Sequence, residues 1–123
     1  MADGLKGRVV AVTGAGSGIG AATVEVLAKA GARIAALDLK WPDKPAAPSP
    51  DRLTLTLDVA DEAATEAAFA AIAAHFGRLD GLVTCAGIVD TSDFMELDAA
   101  RFRRVTDVNV IGTFRSMKAA AAT

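Results

Sequence analysis

The chain's 123 residues suffice for one domain around one core, with 52% hydrophobic and 23% charged side chains and a formal net charge of −2. Its 13 Lys and Arg, scattered among 15 Asp and Glu, exclude a nucleic-acid footprint, and no apolar run nears the roughly 18 residues that a membrane span needs. One cysteine, Cys85, excludes an internal disulfide framework and fits a reducing compartment; Met1-Ala2-Asp3-Gly4 carries no signal-peptide pattern, so the cytoplasm is expected.

After a polar lead-in, Arg8-Val9-Val10-Ala11-Val12 is β-branched and brief, as a buried parallel strand over about 8–13 requires. Thr13-Gly14-Ala15-Gly16-Ser17-Gly18-Ile19-Gly20 follows, then a helix over about 18–30. Strand, glycine turn and helix form the context of a phosphate-binding loop. Glycines let an anion approach the backbone, and the helix start offers free N–H groups and roughly half an elementary charge. The spacing predicts a buried stripe at Ile19, Ala22, Thr23, Val26, Leu27 and Ala30, with Gly31 as the C-cap.

A second strand, Arg33 to Leu37, ends at Asp38. All four prolines fall within residues 41–50, a density no helix survives, so the link to the third strand is expected to be an extended loop. Leu53-Thr54-Leu55-Thr56-Leu57 alternates strictly and ends at Asp58, predicting one covered and one wetter face. Asp61 caps a second helix over about 62–76, with Phe69, Ile72, Ala73 and Phe76 on its buried side and Gly77 at its end. The lone histidine, His75, reads as a surface or helix-end residue rather than a base.

A fourth strand over about 79–84 leads into Cys85-Ala86-Gly87. A loop then runs to Leu97, and Asp98 caps a last helix over about 99–122. Phe102, Val105, Val108, Ile111, Phe114 and Met117 are expected on its buried side, and Arg101, Arg103 and Arg104 on a solvated one. Strands alternating with helices predict an α/β fold, a doubly wound parallel sheet in a single domain over 1–123. Ligands of such sheets bind at the carboxyl ends of the strands, where Gly14, Asp38, Asp58 and Cys85-Ala86-Gly87 fall. No metal site is expected.

The glycine spacing departs from G-x-G-x-x-G, because Ile19 stands where the third glycine belongs. What fits is T-G-x-x-x-G-I-G, which resembles the nicotinamide-cofactor loop of the short-chain dehydrogenase/reductase family. The resemblance implies a Rossmann-type sheet of order 3-2-1-4 and cofactor binding by Gly14, Ser17, Gly18, Ile19 and Gly20. Asp38, about 20 residues on, can accept hydrogen bonds from the ribose hydroxyls. Its carboxylate repels a 2′-phosphate, and Ala15, Gly16 and Ser17 offer no cation, so NAD is expected over NADP; Lys40 nearby works against that choice.

Asp58-Val59 resembles the family's adenine-binding pair, although Asp58 can equally just end a strand. Thr84-Cys85-Ala86-Gly87 stands where the family usually has Asn-Asn-Ala-Gly. Ala86 and Gly87 suit a close cofactor approach, whereas the thiol of Cys85 replaces an amide with a weak hydrogen-bonding group and reads as a small hydrophobe rather than a nucleophile. Asn109, in Asn109-Val110-Ile111-Gly112, is similar to the asparagine of the family's catalytic tetrad, which helps organise a proton relay. An asparagine paired locally to backbone is the equal alternative.

The family's reaction also needs a Ser, a Tyr and a Lys, the last two spaced Y-x-x-x-K, and this sequence contains no tyrosine. The chain is therefore expected to be the cofactor-binding half of such an enzyme, truncated or naturally short, with no turnover by itself. Strand four would then be an open edge, and a homo-oligomer through that edge and the last helix is expected. The competing expectations are a non-catalytic assembly module and a second chain supplying Ser, Tyr and Lys. A methyl-donor-binding protein is disfavoured, because Thr13 rather than an acidic residue precedes the glycine loop.

Overall fold

A computed structural model describes residues 2–123. Four parallel strands, β1 (Val9–Thr13), β2 (Arg33–Asp38), β3 (Arg52–Thr56) and β4 (Gly81–Thr84), form one sheet in the order β3-β2-β1-β4, as expected. Thr13, at the carboxyl end of β1, stands opposite Leu37 on one side and Thr84 on the other. Every residue of β1 and the four central residues of β2 are buried. Both faces of these inner strands are covered, which explains why their sequences are continuous apolar runs rather than alternations.

Helix α1 (Gly18–Lys29) covers one face, where Val24 joins Val10, Val12, Ile34 and Ala36. On the other face lie α2 (Glu62–Phe76) and the last helical region, where Phe69, Ile72, Phe76 and Val108 meet Val9, Ala11, Ala35 and Leu37. Burying each large side chain here is worth about 1.5–3 kcal/mol. Asp61 caps α2 by accepting from the Ala64 N–H at 2.9 Å, and Gly77 ends it with φ of 74°. Residues 41–50 form an irregular loop without helix, and Trp41 packs against the α1 side of the core. Exposed His75 holds Nε2 2.7 Å from the Ser49 carbonyl oxygen, tying that segment to α2.

The buried stripe of α1 differs from expectation. Ile19 is 81% and Val26 66% exposed, and the inward positions are Gly20, Val24 and half-buried Leu27. The helix is rotated by one residue, about 100°. The cause is the close approach of Gly20 in its first turn to Gly14 in the glycine loop, which sets the face turned inward.

The last region is α3 (Ala99–Thr106), a π-helical stretch (Asp107–Ile111) and α4 (Gly112–Ala121), not one regular helix. Asp98 does cap it, accepting from the Arg101 N–H at 2.8 Å. Of the six residues expected on the buried side, only Val108 is buried; Val105 is half-buried and Phe102, Ile111, Phe114 and Met117 are exposed. The buried residues are Val108, Gly112 and Ser116, in steps of four. The wider π turn resets the phase of the helix. It brings Gly112 against Val59, where a Cβ would come within 2.8 Å of a Val59 methyl.

At the amino end of the sheet, Asp80 closes the β1–β4 pair. Its N–H donates to the Val9 carbonyl at 2.8 Å, and its carboxylate accepts from the Val9 N–H at 2.8 Å. The Arg78 side chain also donates to that carboxylate. The Arg78 hydrogen bond, with the Val9 N–H next, holds the Asp80 pKa down at about 2. β4 accordingly begins at Gly81, two residues later than expected.

Candidate functional site

The carboxyl ends of β1, β2 and β4, the loop after β3 and the start of α1 surround a cleft of 330 Å³. That lies at the lower end of the range of small-molecule sites, about 300–1,000 Å³. The cleft is lined by Gly14, Ser17, Gly18, Ile19 and Gly20 from the glycine turn, and by Asp38 after β2. Asp58 and Val59 line it after β3, and Cys85, Ala86 and Gly87 after β4. Each of these is a residue the sequence pattern points to, and the fold brings them together. Leu37, Leu57 and Val108 also line it, supplying its apolar part.

The glycine turn is built by backbone-to-backbone approach. Gly14 has φ of 67°, and a Cβ there would lie 2.5 Å from the Cys85 carbonyl carbon. A Cβ on Gly20 would sit 1.9 Å from the Gly14 carbonyl oxygen. Ser17, the residue ahead of α1, makes no side-chain cap, and the first turn holds no acidic residue. The starts of α2 and α3, by contrast, are closed by Asp61 and Asp98. The α1 start thus keeps first-turn N–H groups and the positive end of its dipole at the cleft, a donor set that suits an anion.

Asp38 supports this turn. Its Oδ2 accepts from the Gly16 N–H at 2.8 Å and its Oδ1 from the Lys40 N–H at 3.1 Å. Each carboxylate oxygen has a second lone pair, so acceptor capacity remains for a ligand diol. Fully buried Thr13 does for the β4 loop what the Cys85 thiol does not. Its Oγ1 accepts from the Cys85 and Ala86 N–H groups, each at 3.3 Å. The sequence marks Thr13 as the first residue of the glycine motif but not as a brace, although a hydroxyl closing an apolar strand signals one.

Asp58 Oδ1 accepts from the Ala60 N–H at 3.0 Å, and its Oδ2 lies 3.7 Å from Arg104 Nη1. Arg104 is exposed, as expected, and its side chain also lines the cleft, where it is the one cation among the lining residues. Nothing in sequence ties Arg104 to Asp58, because the pair forms only when α3 folds back over the sheet. Arg101 binds Asp90 instead, with Nε at 2.9 Å from Oδ2.

Asn109 does not line the cleft. Its Nδ2 donates to the Ile88 carbonyl and its Oδ1 accepts from the Ile88 N–H, both at 2.8 Å. The amide is satisfied by backbone, though 21 residues away rather than locally. It acts as a peptide-like partner for the segment after Gly87, and Gly87 and Ile88 both line the cleft. Among the described residues no group of three or more His, Cys, Asp or Glu is placed to hold a metal ion. No helix among them is long and apolar enough to cross a membrane.

The sequence profile of the short chain dehydrogenase family matches residues 8–123. D-threitol dehydrogenase of Mycolicibacterium smegmatis is 42% identical over 116 residues, which cover 89% of this chain and 45% of that protein. The ligand-free aldohexose dehydrogenase of Thermoplasma acidophilum superposes with a TM-score of 0.87 at 28% identity, over 97% of this chain and 45% of the other. An NADH-dependent reductase complexed with NAD superposes at 0.86 with 27% identity, over 99% of this chain and 54% of that one. The chain thus spans about half the length of these relatives. With its strand order, its glycine turn and a family match that runs through every element of the sheet, the chain belongs to the short chain dehydrogenase family.

Proposed function

We propose that these residues form the NAD-binding portion of an oxidoreductase that moves a hydride between the cofactor and an alcohol or ketone. The observation that carries this reading is the convergence of Gly14, Gly18, Asp38, Asp58 and Ala86 on one cleft beside an α1 start without a side-chain cap. The N–H groups of that start would hold the pyrophosphate, and Asp38 the adenosine ribose. The chemistry the bound group supplies is hydride transfer at its nicotinamide ring. NAD is favoured over NADP because the Asp38 carboxylate opposes a 2′-phosphate; the NAD complex of a structural relative supports the choice. The names of the relatives support an alcohol substrate. Asn109 would serve the site by holding Gly87 and Ile88 at the cleft wall. With no tyrosine among the 123 residues, the family's proton-transferring group is not supplied by them, and turnover by these residues alone is not expected.

Calorimetry with NAD and ADP-ribose tests this. Comparable affinities support an adenosine-side site, NADP should bind at least about tenfold more weakly, and no binding of NAD or ADP-ribose overturns the reading.

A second reading, an assembly module that keeps the fold without turnover, is favoured by one feature. The large apolar residues of the last region point outward: Phe114 is 61% and Met117 58% exposed, while small Gly112 and Ser116 face the core. Next to them β4 pairs only with β1 among the described residues. Either reading leads us to propose a homo-oligomer through this face and edge. A monodisperse monomer at micromolar concentration in light scattering counts against it. Absence of any NAD-induced melting shift in an oligomeric sample selects the module.

A further inference from the structure

We infer that Arg104 is a positioning residue that sets the purine preference of the cleft by holding the Asp58 carboxylate toward a ligand amine; this rests on the nicotinamide-nucleotide reading above. The geometry divides the labour of that carboxylate. Oδ1 is occupied by the Ala60 N–H at 3.0 Å, so rotation of the group is limited from one side. Oδ2 faces Arg104 Nη1 at 3.7 Å, close enough for charge attraction but beyond hydrogen-bond length. The guanidinium therefore restrains Oδ2 without consuming its lone pairs. Both residues line the cleft, and both side chains are partly exposed, at 47% for Arg104 and 34% for Asp58, so a ligand in the cleft can reach the carboxylate.

A restrained carboxylate oxygen accepts from an exocyclic amine and repels a carbonyl oxygen at the same place. The pair thus favours a 6-amino purine over its 6-oxo counterpart. Arg104 comes from α3 and Asp58 from the loop after β3, so neither element alone defines the preference.

The test compares NAD with its hypoxanthine analogue, in which the 6-amino group is replaced by oxygen, by calorimetry on the full chain. The wild type should favour NAD by about tenfold. Arg104→Gln should cut that ratio to about twofold, with Arg104→Lys intermediate. Asp58→Ala should abolish it, and the double variant should match Asp58→Ala, because Arg104 acts through the carboxylate. Melting curves confirm that the half-exposed Arg104 variants remain folded. No binding of either dinucleotide by the wild type overturns the reading of the cleft and this inference with it. Binding with equal affinity for both, or a ratio unchanged in Arg104→Gln, overturns the inference alone and leaves the cleft assignment standing.

Discussion

Asp38 reaches back from the end of β2 to take the Gly16 N–H at 2.8 Å, so the acid expected to grip a ribose also fastens the turn expected to hold the pyrophosphate. Gly16 must lack a side chain for this, since a Cβ would lie 2.6 Å from the Lys40 carbonyl oxygen and 2.9 Å from the carboxylate itself. Asp38→Ala should weaken ADP-ribose binding by at least about tenfold and lower stability by about 1 kcal/mol. Calorimetry and urea melts measure the two effects. Unchanged affinity would detach Asp38 from the ligand.

Thr13 holds the β4 loop by its hydroxyl. Thr13→Val keeps the shape of the side chain but removes the acceptor of the Ala86 N–H, and should cost about 1–2 kcal/mol. Thr13→Ser should recover most of it. The comparison in urea separates the hydrogen bond from packing, because valine fills the volume and serine does not.

Gly18 and Gly20 look alike in sequence and differ in surroundings. A Cβ on Gly20 meets the Gly14 carbonyl oxygen at 1.9 Å, whereas one on Gly18 meets nothing within 4 Å and is opposed only by a φ of 54°. Gly20→Ala should cost about 3 kcal/mol or more, and Gly18→Ala about 1 kcal/mol. Equal losses in thermal unfolding would contradict the close packing of α1 on the loop.

Asp80 makes acid stability legible. Its pKa of about 2 in the folded chain lies below the ordinary 3.8, so its contribution is whole above 3.8 and fades as pH falls toward 2. Asp90, lowered by its hydrogen bonds from Ser92 and by Arg101, acts in the same direction. The Tm difference between wild type and Asp80→Asn should be open at about pH 6 and closed near pH 2. A difference constant over that range would remove Asp80 from the acid response.

Asn109→Ala takes away both hydrogen bonds to Ile88. Amide exchange at Ile88 should then quicken by about tenfold, while the Gly16 amide, held by Asp38, should keep its rate. Quickening at both would mean that the whole sheet had loosened.

Much of the fold was readable because its signals are local. Asp61 and Asp98 cap helices by bonding N–H groups three residues on, and Gly77 ends one by a backbone angle that glycine adopts without strain. The proline run forbids a helix wherever it is placed. The errors share one cause. For helix α1 and the last helical region apolar spacing predicts the wrong inward face, because the face a helix presents depends on what it packs against. Gly20 docks on Gly14 and turns Ile19 outward into the cleft. Gly112 docks on Val59, and the π stretch before it breaks the regular spacing that the assignment assumed.

The candidate site divides in the same way. The residues that follow each strand could be listed from the chain alone, because a parallel sheet delivers them to a common edge. The amino-acid order by itself determined the strand–loop–helix alternation, the caps at Asp61, Asp98 and Gly77, and which loops meet at the cleft. Only the folded structure decided that Thr13 braces the β4 loop, that Asn109 bonds the Ile88 backbone at the cleft wall, and that Arg104 stands beside Asp58. Those contacts join elements far apart in the chain, and their partners are chosen by how closely backbones pack, which no one-dimensional pattern records.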